Sequence, residues 1–240
     1  MKDKKSKRPV VSIVGLGYVG LSESVAFALK GIKVIGVDID NRKIELIKQG
    51  ISPIKEPDVE KYLGDFVQNG TIEVTNDYEY AIRESEMTFI AVNTPPLPDG
   101  QADLSQVISA LTSIASSLLS KHTYHVVVIN STIPPGSTNQ KLKPLLEKLA
   151  QREVGRDIGL VVMPEFLREG TAISDILSPW RVVIGVEDEK SKEYILNFLH
   201  YIYTDMPPIL VTSYTNAELI KYASNAFLAT KVSFINTIAN

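Results

Sequence analysis

Short apolar runs rich in β-branched residues alternate along the chain with longer stretches in which apolar residues recur with helical period. This alternation is typical of βαβ units that build a parallel sheet with helices on both faces. The pattern predicts eight strands, at residues 10–14, 33–37, 71–75, 87–92, 125–130, 158–163, 181–185 and 209–212. The helices predicted between them cover residues 18–30, 41–49, 59–69, 77–83, 104–120, 138–151 and 188–203. We therefore expect an α/β fold with a doubly wound parallel sheet.

The pattern changes near Ser213, because residues 213–240 contain neither glycine nor proline and have helical period throughout. A helix over this stretch would be roughly 40 Å long at about 1.5 Å per residue, and no stop signal precedes Asn240. We expect three parts: a basic tail at residues 1–8, a main domain at residues 9–205, and at residues 206–240 the start of a helical region that is cut short.

Composition narrows the classes of function. The 240 residues carry 25 Lys and Arg against 28 Asp and Glu, a net charge of −3, and no cysteine. Structural disulfides, thiolate zinc sites and a cysteine nucleophile from this chain are therefore excluded. Balanced charge argues against a nucleic-acid surface, and no apolar run approaches the roughly 20 residues of a membrane helix. We expect a cytoplasmic protein with neither a nucleic-acid nor a membrane partner.

The first predicted strand runs into a glycine-rich loop at residues 15–20, and a helix follows. In a G-x-G-x-x-G loop of this kind, the first glycine permits a tight turn and the second lets a pyrophosphate approach the backbone. The third lets helix and strand pack closely, and the phosphates lie at the helix N-terminus. The loop predicts a Rossmann-type dinucleotide site formed by Gly15, Leu16, Gly17, Tyr18, Val19 and Gly20.

Asp38 ends the second predicted strand, 18 residues after Gly20. A carboxylate at this place can accept hydrogen bonds from both ribose hydroxyls and would repel a 2′-phosphate, which favours NAD over NADP. The alternative is that Asp38 only caps the helix that begins near Asn41, although Asp40 is the better candidate for that cap.

Three later strands end in unusual polar segments, at residues 92–95, 130–136 and 163–170. Ligands bind beyond the carboxyl ends of the strands in this architecture, so we expect the three segments to converge on the nicotinamide end of the cofactor. The first two segments could equally be hydrogen-bonded turns or capping loops. In the third, a carboxylate at Glu165 that is partly desolvated by Phe166 and Leu167 could serve as a general base.

Glu218, Lys221 and Asn225 share one face of the final predicted helix, because they are spaced i, i+3 and i+7. Spacing alone favours a surface ion pair between Glu218 and Lys221. The alternative is that Lys221 and Asn225 present a cation and an amide donor to one substrate oxygen, which would stabilise an oxyanion.

The same helix carries an apolar face that must be buried against something. Leu219, Tyr222, Ala226, Phe227 and Ile235 belong to it. We predict a homodimer that forms through this helix.

The remaining candidates are assigned to packing. Trp180 follows Pro179 and is expected to pack, and the three histidines stand singly without ligand spacing. We therefore expect no metal site.

Five motifs in register resemble the UDP-glucose/GDP-mannose dehydrogenase family, and most closely its UDP-glucose 6-dehydrogenases. They lie at residues 15–20, 92–95, 131–136, 164–170 and 218–229, so the resemblance runs from about Pro9 to Asn240. It implies an NAD-dependent oxidoreductase that converts a nucleotide-sugar 6-hydroxyl to a carboxylate in two steps, through an aldehyde and a thioester on a cysteine. UDP-glucose, giving UDP-glucuronate for polysaccharide synthesis, is the expected substrate, ahead of GDP-mannose and UDP-N-acetylhexosamines.

The resemblance also implies roles for individual residues. Thr132 and Glu165 would position the water and act as the base in thioester hydrolysis, and Lys221 and Asn225 would stabilise the oxyanion. Cofactor contacts beyond the glycine loop would come from Asp38, Lys43, Val92, Asn93, Thr94, Pro95, Ser131 and Thr132, with Glu169 closing over the cofactor. The sugar nucleotide would contact Glu165, Phe166, Leu167, Arg168, Glu169, Lys221 and Asn225.

The chain also departs from the family's pattern. Family members continue past this helix into a glycine-rich segment with the nucleophilic cysteine and then a second α/β domain that binds UDP. Without the thiol there is no acyl-enzyme to hydrolyse. We therefore expect an N-terminal fragment that is incomplete or inactive by itself.

Two other hypotheses stay open. A single-step β-hydroxyacid-type dehydrogenase also places a Lys and an Asn four residues apart and needs no thiol, although the 164–170 motif argues against it. A non-catalytic NAD-binding or dimerisation module is the second.

Overall fold

The computed structural model describes residues 8–239, so the predicted basic tail, apart from Arg8, lies outside the described residues. The chain forms an α/β fold with one eight-stranded sheet. The strands are β1 (Val10–Val14), β2 (Lys33–Val37), β3 (Ile72–Thr75), β4 (Met87–Ile90), β5 (Val126–Ile129), β6 (Gly159–Val162), β7 (Val182–Gly185) and β8 (Ile209–Thr212). The helices are α1 (Tyr18–Leu29), α2 (Asn41–Lys48), α3 (Pro57–Gln68), α4 (Tyr78–Glu84), α5 (Ser105–Leu118), α6 (Lys143–Ala150), α7 (Ala172–Leu177), α8 (Glu189–Ile202) and α9 (Tyr214–Ala239).

The strand order is β3-β2-β1-β4-β5-β6-β7-β8. The first six strands in this order, from β3 to β6, run parallel to one another. The order reverses between β1 and β4, which places a crevice beyond the carboxyl ends of these two strands. The doubly wound Rossmann-type sheet predicted from the sequence is confirmed.

The sheet is mostly parallel, and an antiparallel junction lies between β6 and β7. β7 runs antiparallel to β6 and pairs with it only between Val162 and Gly185, and β8 is parallel to β7. The link before β7 contains α7, which has six residues and was not predicted. Such a helix is about 9 Å long, too short to carry the chain back along the sheet for a parallel crossover. The 14-residue α8 does return the chain, so β7 and β8 are parallel.

The predicted helix at 138–151 begins instead with a π-helical segment, Thr138–Leu142, before α6. Pro144 lies in the first turn of α6 and has no N–H to donate to the preceding turn. The wider π-helical turn before it tolerates the absence of this hydrogen bond.

The core has two parts, one on each face of the sheet. One contains the rings of Phe27, Phe89 and Phe198, whose centroids lie 5.3–5.4 Å apart. The other packs α5 and α6 against the sheet and includes Tyr214 at the start of α9. All four residues of β5 are buried, as expected for a strand covered on both faces.

His125 is a core residue, and its Nε2 lies 2.7 Å from the Thr88 hydroxyl. Burial, with a contribution from the charge of Lys121, lowers the pKa of His125 to about 3, so the ring is neutral. Between residues 8 and 239, no group of three or more His, Asp or Glu side chains is arranged to hold a metal ion. No helix within that range is long and apolar enough to cross a membrane.

Trp180 is 89% exposed, so the expectation that it packs is wrong. It lies in the connection between α7 and β7, whereas the buried positions on either side are taken by Ile176 and Val182.

Candidate functional site

The glycine loop connects β1 to α1, and its geometry matches what a dinucleotide needs. Gly15 has φ +94°, and a Cβ there would lie 2.8 Å from the Ala91 carbonyl oxygen. A Cβ on Gly20 would lie 2.0 Å from the Gly15 oxygen, so both positions require glycine. A Cβ on Gly17 would meet nothing within 4 Å. The backbone is therefore open at Gly17, where a pyrophosphate would approach, and the loop fits NAD.

A cavity of about 460 Å³, which we call the Asp38 cavity, opens beyond the carboxyl ends of β1, β2 and β4. It brings together six of the predicted cofactor residues. These are Gly15, Gly17, Asp38, Lys43, Val92 and Asn93. The cavity is thus formed at the switch point of the sheet, where the strand order predicts a ligand.

The Asp38 carboxylate has three donors in this cavity. Oδ2 accepts from the Leu16 N–H at 2.8 Å and from Lys43 Nζ at 2.6 Å, and Oδ1 accepts from the Asp40 N–H at 2.9 Å. Burial would raise the pKa of Asp38, but the bonds from Lys43, Asp40 and Leu16 outweigh it and hold the pKa below its usual value. The carboxylate is ionised at neutral pH, as ribose recognition requires.

The cap of α2 is Asp40, as predicted, because its Oδ1 accepts from the Arg42 N–H at 2.9 Å. Asp38 is therefore not needed for capping, and it lines the cavity.

The segments after β4 and β5 lie side by side. The Ser131 hydroxyl donates to the Val92 carbonyl at 2.6 Å, and the Thr94 hydroxyl donates to the Thr132 carbonyl at 2.7 Å. Both hydroxyls therefore hold one segment to the other. Within the described part of the chain, Thr94, Pro95, Ser131 and Thr132 line neither this cavity nor the second one.

The second cavity, of about 400 Å³, lies between the residues after β6 and the helices α1, α8 and α9, and we call it the Lys221 cavity. It brings together six of the seven predicted substrate residues. These are Glu165, Phe166, Leu167, Arg168, Lys221 and Asn225. Glu169, the seventh, is exposed and lines neither cavity.

A buried ion pair forms one wall of the Lys221 cavity. Lys221 Nζ lies 2.8 Å from Glu165 Oε1, and Glu165 Oε2 accepts from the Leu167 N–H at 2.6 Å. The side chains are only 7% and 17% exposed. Asn225 follows Lys221 by one helical turn and lines the same cavity. A cation, an amide and a carboxylate thus converge on one space.

The expected surface pair between Glu218 and Lys221 is wrong, because both side chains are buried. Glu218 accepts from the Gly136 N–H at 2.5 Å and the Thr138 N–H at 2.8 Å. The start of α9 packs against β6, β7 and the loop after β5, which turns this face of the helix inward. Glu218 therefore fixes α9 to that loop and leaves Lys221 for Glu165.

Two arginines lie at the rim of this cavity. The Arg168 guanidinium pairs with the Asp175 carboxylate, with Nη2 2.6 Å from Oδ1. The Arg181 guanidinium stacks over the Phe166 ring, 4.4 Å from its centroid. Arg168 thus lines the Lys221 cavity as predicted, but its guanidinium is paired with a carboxylate of α7.

One acidic residue of the Lys221 cavity was missed by sequence reasoning. Glu23, on α1, is 5% exposed, and its Oε1 accepts from Asn130 Nδ2 at 2.6 Å. Burial raises the pKa of Glu23 to about 8, against the opposing effect of the Asn130 bond and with a small contribution from Glu165. The carboxyl is therefore largely protonated at neutral pH. A lone acidic residue among the small and apolar residues of α1 was the signal that could have found it.

Comparison with known proteins decides the family. Residues 10–206 match the NAD binding domain of the UDP-glucose/GDP-mannose dehydrogenase family, and residues 215–240 match its central domain. The chain belongs to this family. Its membership favours a nucleotide-sugar dehydrogenase over the β-hydroxyacid type.

UDP-glucose 6-dehydrogenase AglM of Haloferax volcanii is 38% identical over 236 residues, which is 96% of this chain and 54% of the relative. A structure of GDP-mannose dehydrogenase from Pseudomonas aeruginosa, a ternary complex, superposes with a TM-score of 0.90 at 38% identity and covers 94% of this chain and 51% of that one. UDP-glucose dehydrogenase from Pyrobaculum islandicum gives a TM-score of 0.90 at 38% identity, with 99% and 54% covered. The chain spans about half the length of each of these three relatives.

Proposed function

We propose that this chain supplies the NAD site and part of the catalytic site of a nucleotide-sugar 6-dehydrogenase. The observation that carries the proposal is the convergence of Glu165, Lys221 and Asn225 on one cavity, next to a separate cavity suited to a dinucleotide. Residues 9–205 would form the NAD-binding unit, and residues 206–240 would begin the central region. Similar proteins are named as UDP-glucose 6-dehydrogenase and GDP-mannose 6-dehydrogenase, which supports a nucleotide sugar as the substrate.

The residues of the Lys221 cavity suit the oxidation of an alcohol. Bound NAD supplies a hydride acceptor. Lys221 and Asn225 would donate hydrogen bonds to the sugar C6 oxygen as negative charge develops on it. The Glu165 carboxylate, held 2.8 Å from Lys221 Nζ, would take up the proton that leaves the hydroxyl.

The second oxidation step would need a thiol, which these 240 residues do not supply. Glu165 and Thr132 are proposed to act on the water of the later hydrolysis. UDP-glucose is our first choice of substrate, ahead of GDP-mannose and UDP-N-acetylhexosamines. The expected cytoplasmic location stays a prediction.

Calorimetric titration of the chain with NAD and NADP tests the cofactor part of the proposal. We expect NAD to bind more tightly than NADP, and Asp38→Asn to weaken NAD binding about tenfold, because the neutral amide is a poorer acceptor for ribose hydroxyls. Asp77→Asn is the matched control, since Asp77 caps α4. Equal NAD affinity in the native chain and Asp38→Asn would contradict the proposed role of Asp38.

We also propose that α9 pairs with the same helix of a second copy. Several large apolar side chains of α9 are at least half exposed, and one continuous helix carries them all. They are Leu219, Phe227, Leu228, Val232, Phe234, Ile235 and Ile238. Light scattering at micromolar concentration should give the mass of a dimer, and Phe227→Asp should shift it toward the monomer.

A further inference from the structure

Groups from three separate parts of the chain meet beside the glycine loop, and we call them the Tyr18 cluster. The Tyr18 hydroxyl donates to the Glu56 carboxylate. The Gly170 N–H lies 3.0 Å from both the Tyr18 oxygen and Glu56 Oε2, and the Arg168 carbonyl lies 3.3 Å from the same hydroxyl. The cluster therefore joins α1, the residue before α3 and the segment after β6.

Glu56 is the least expected member of the cluster. It precedes Pro57 at the N-cap of α3, yet its side chain makes no capping bond. The residue is 1% exposed, and its Oε1 has no hydrogen-bond partner within the described residues. Burying a carboxylate costs free energy unless strong hydrogen bonds compensate. The bonds to Tyr18 and Gly170 supply that compensation, so this carboxylate is directed to the cluster and not to its own helix.

Tyr18 is a stable donor in this cluster. Burial and the bond to Glu56 raise the pKa of Tyr18 to about 12. The hydroxyl therefore keeps its proton throughout the physiological range and remains a hydrogen-bond donor to Glu56.

The cluster is a direct connection between the walls of the two cavities. Tyr18 follows Gly17, whose open backbone lines the Asp38 cavity. Arg168 and Gly170 belong to the segment whose residues 164–168 line the Lys221 cavity. This segment is also held by the Glu165–Lys221 and Arg168–Asp175 ion pairs and by the stacking of Arg181 over Phe166.

We propose that Tyr18 and Glu56 are positioning residues that couple dinucleotide binding to the wall of the Lys221 cavity. A dinucleotide held at Gly17 fixes the first turn of α1 and with it the Tyr18 hydroxyl, which holds the backbone at residues 168–170. By linkage, an ordered 168–170 segment favours dinucleotide binding to the same extent. The proposal rests on the proposed function for the identity of the ligand, which is NAD.

The test compares Tyr18→Phe, Glu56→Ala and the double variant with the native chain. Two quantities are measured: the Kd for NAD by calorimetry, and the hydrogen-exchange rate of the Gly170 amide with and without NAD. Tyr80→Phe is the matched control, because it removes a hydroxyl that donates to Glu73 at 2.8 Å on a different part of the sheet. Glu56→Gln keeps an acceptor oxygen at the same place.

We expect Tyr18→Phe and Glu56→Ala each to raise the Kd for NAD about tenfold and to speed exchange at Gly170, and the double variant to be no worse than either. Glu56→Gln should recover part of the loss and serves as the test if Glu56→Ala does not fold. Tyr80→Phe should leave both quantities at the native values.

The Glu56 variants separate coupling from direct contact, because Tyr18 lies in the predicted dinucleotide loop and Glu56 does not. If Tyr18→Phe weakens NAD binding while Glu56→Ala and Glu56→Gln bind NAD natively, the coupling is overturned. Unchanged exchange at Gly170 in both single variants overturns it too. A native chain that binds no NAD overturns the proposed function as well, so the two failures are distinguishable.

Discussion

The two cavities hold similar pairs of charges in different surroundings. In the Asp38 cavity, Lys43 pairs with a carboxylate that also accepts two backbone N–H groups. In the Lys221 cavity, Lys221 pairs with Glu165, which has one backbone N–H, and a buried neutral acid, Glu23, lies in the same wall. The three donors to Asp38 lie within 22 residues of it in the chain, whereas the Lys221 cavity joins α1, the segments after β5 and β6, and α9. We therefore expect the loss of a single charged side chain to lower the free energy of unfolding more in the Lys221 cavity than in the Asp38 cavity.

The largest expected effect concerns Glu23 and pH. Its pKa is raised to about 8 in the folded chain, so the folded state holds the proton more tightly than the unfolded state does. The stabilisation is complete below the unfolded pKa and is lost as pH rises through about 8. Relative to Glu23→Gln, which stays neutral and can still accept from Asn130, the native chain should lose on the order of 4 kcal/mol between pH 4.5 and 8.

Urea unfolding of both proteins at several pH values measures this difference. Glu73→Gln provides the control, because the stabilisation from a carboxyl with a lowered pKa is lost only at more acidic pH, so its difference from the native chain should stay nearly constant over this range. Burial would raise the pKa of Glu73, but the bonds from Lys33 and Tyr80 lower it overall. A constant difference between the native chain and Glu23→Gln across this pH range would show that Glu23 is ionised when folded.

The next effect compares the two lysines directly. Lys221→Ala leaves the half-buried Glu165 carboxylate with one donor and should destabilise the fold by about 3 kcal/mol at neutral pH. Lys43→Ala should cost about 1 kcal/mol, because Asp38 keeps its two backbone donors and the Lys43 side chain is 27% exposed. Denaturant unfolding at pH 7 measures both. If both variants lost the same free energy of unfolding, the proposed difference between the two ion pairs would be contradicted.

The smallest effect on stability is expected within the glycine loop. Gly17→Ala places a methyl group where nothing lies within 4 Å, so the free energy of unfolding should change by less than about 0.5 kcal/mol. The methyl group would occupy the approach of the pyrophosphate, so NAD should bind at least tenfold more weakly. Gly20→Ala is the contrasting variant, because its Cβ would lie 2.0 Å from the Gly15 oxygen and should destabilise the fold. Native NAD affinity in Gly17→Ala would contradict the location of the site.

The glycine loop and the Asp38 carboxylate were predictable because they lie close together in the sequence, whereas Val92 and Asn93 reach the same cavity through the strand order. A strand, three glycines at fixed spacing and an acid at the end of the next strand determine the backbone path and the charge locally. The strands β1, β2, β4, β5 and β6 were predictable for a related reason, since a buried parallel strand is a mostly apolar run.

The Lys221 cavity was only partly predictable. The motif residues Glu165, Lys221 and Asn225 were found from their pattern, but Glu23 and Asn130 are 107 positions apart and meet only in the fold. Spacing favoured Glu218 as the partner of Lys221, and packing of α9 against the loop after β5 gave Glu218 other donors. The antiparallel direction of β7 could not be predicted, because hydrophobic periodicity indicates which residues are buried and not which way a strand runs.

By itself the sequence determined the positions of the strands, the glycine loop and the identity of the candidate catalytic groups, because each is encoded within about ten neighbouring residues. The tertiary structure alone decided which charges meet. Glu165 pairs with Lys221, Glu23 is protonated beside Asn130, and Glu56 bonds Tyr18 and Gly170. The reason is that burial and long-range contacts determine the free energy of ionising a side chain in the folded protein, and neither can be read from the local sequence.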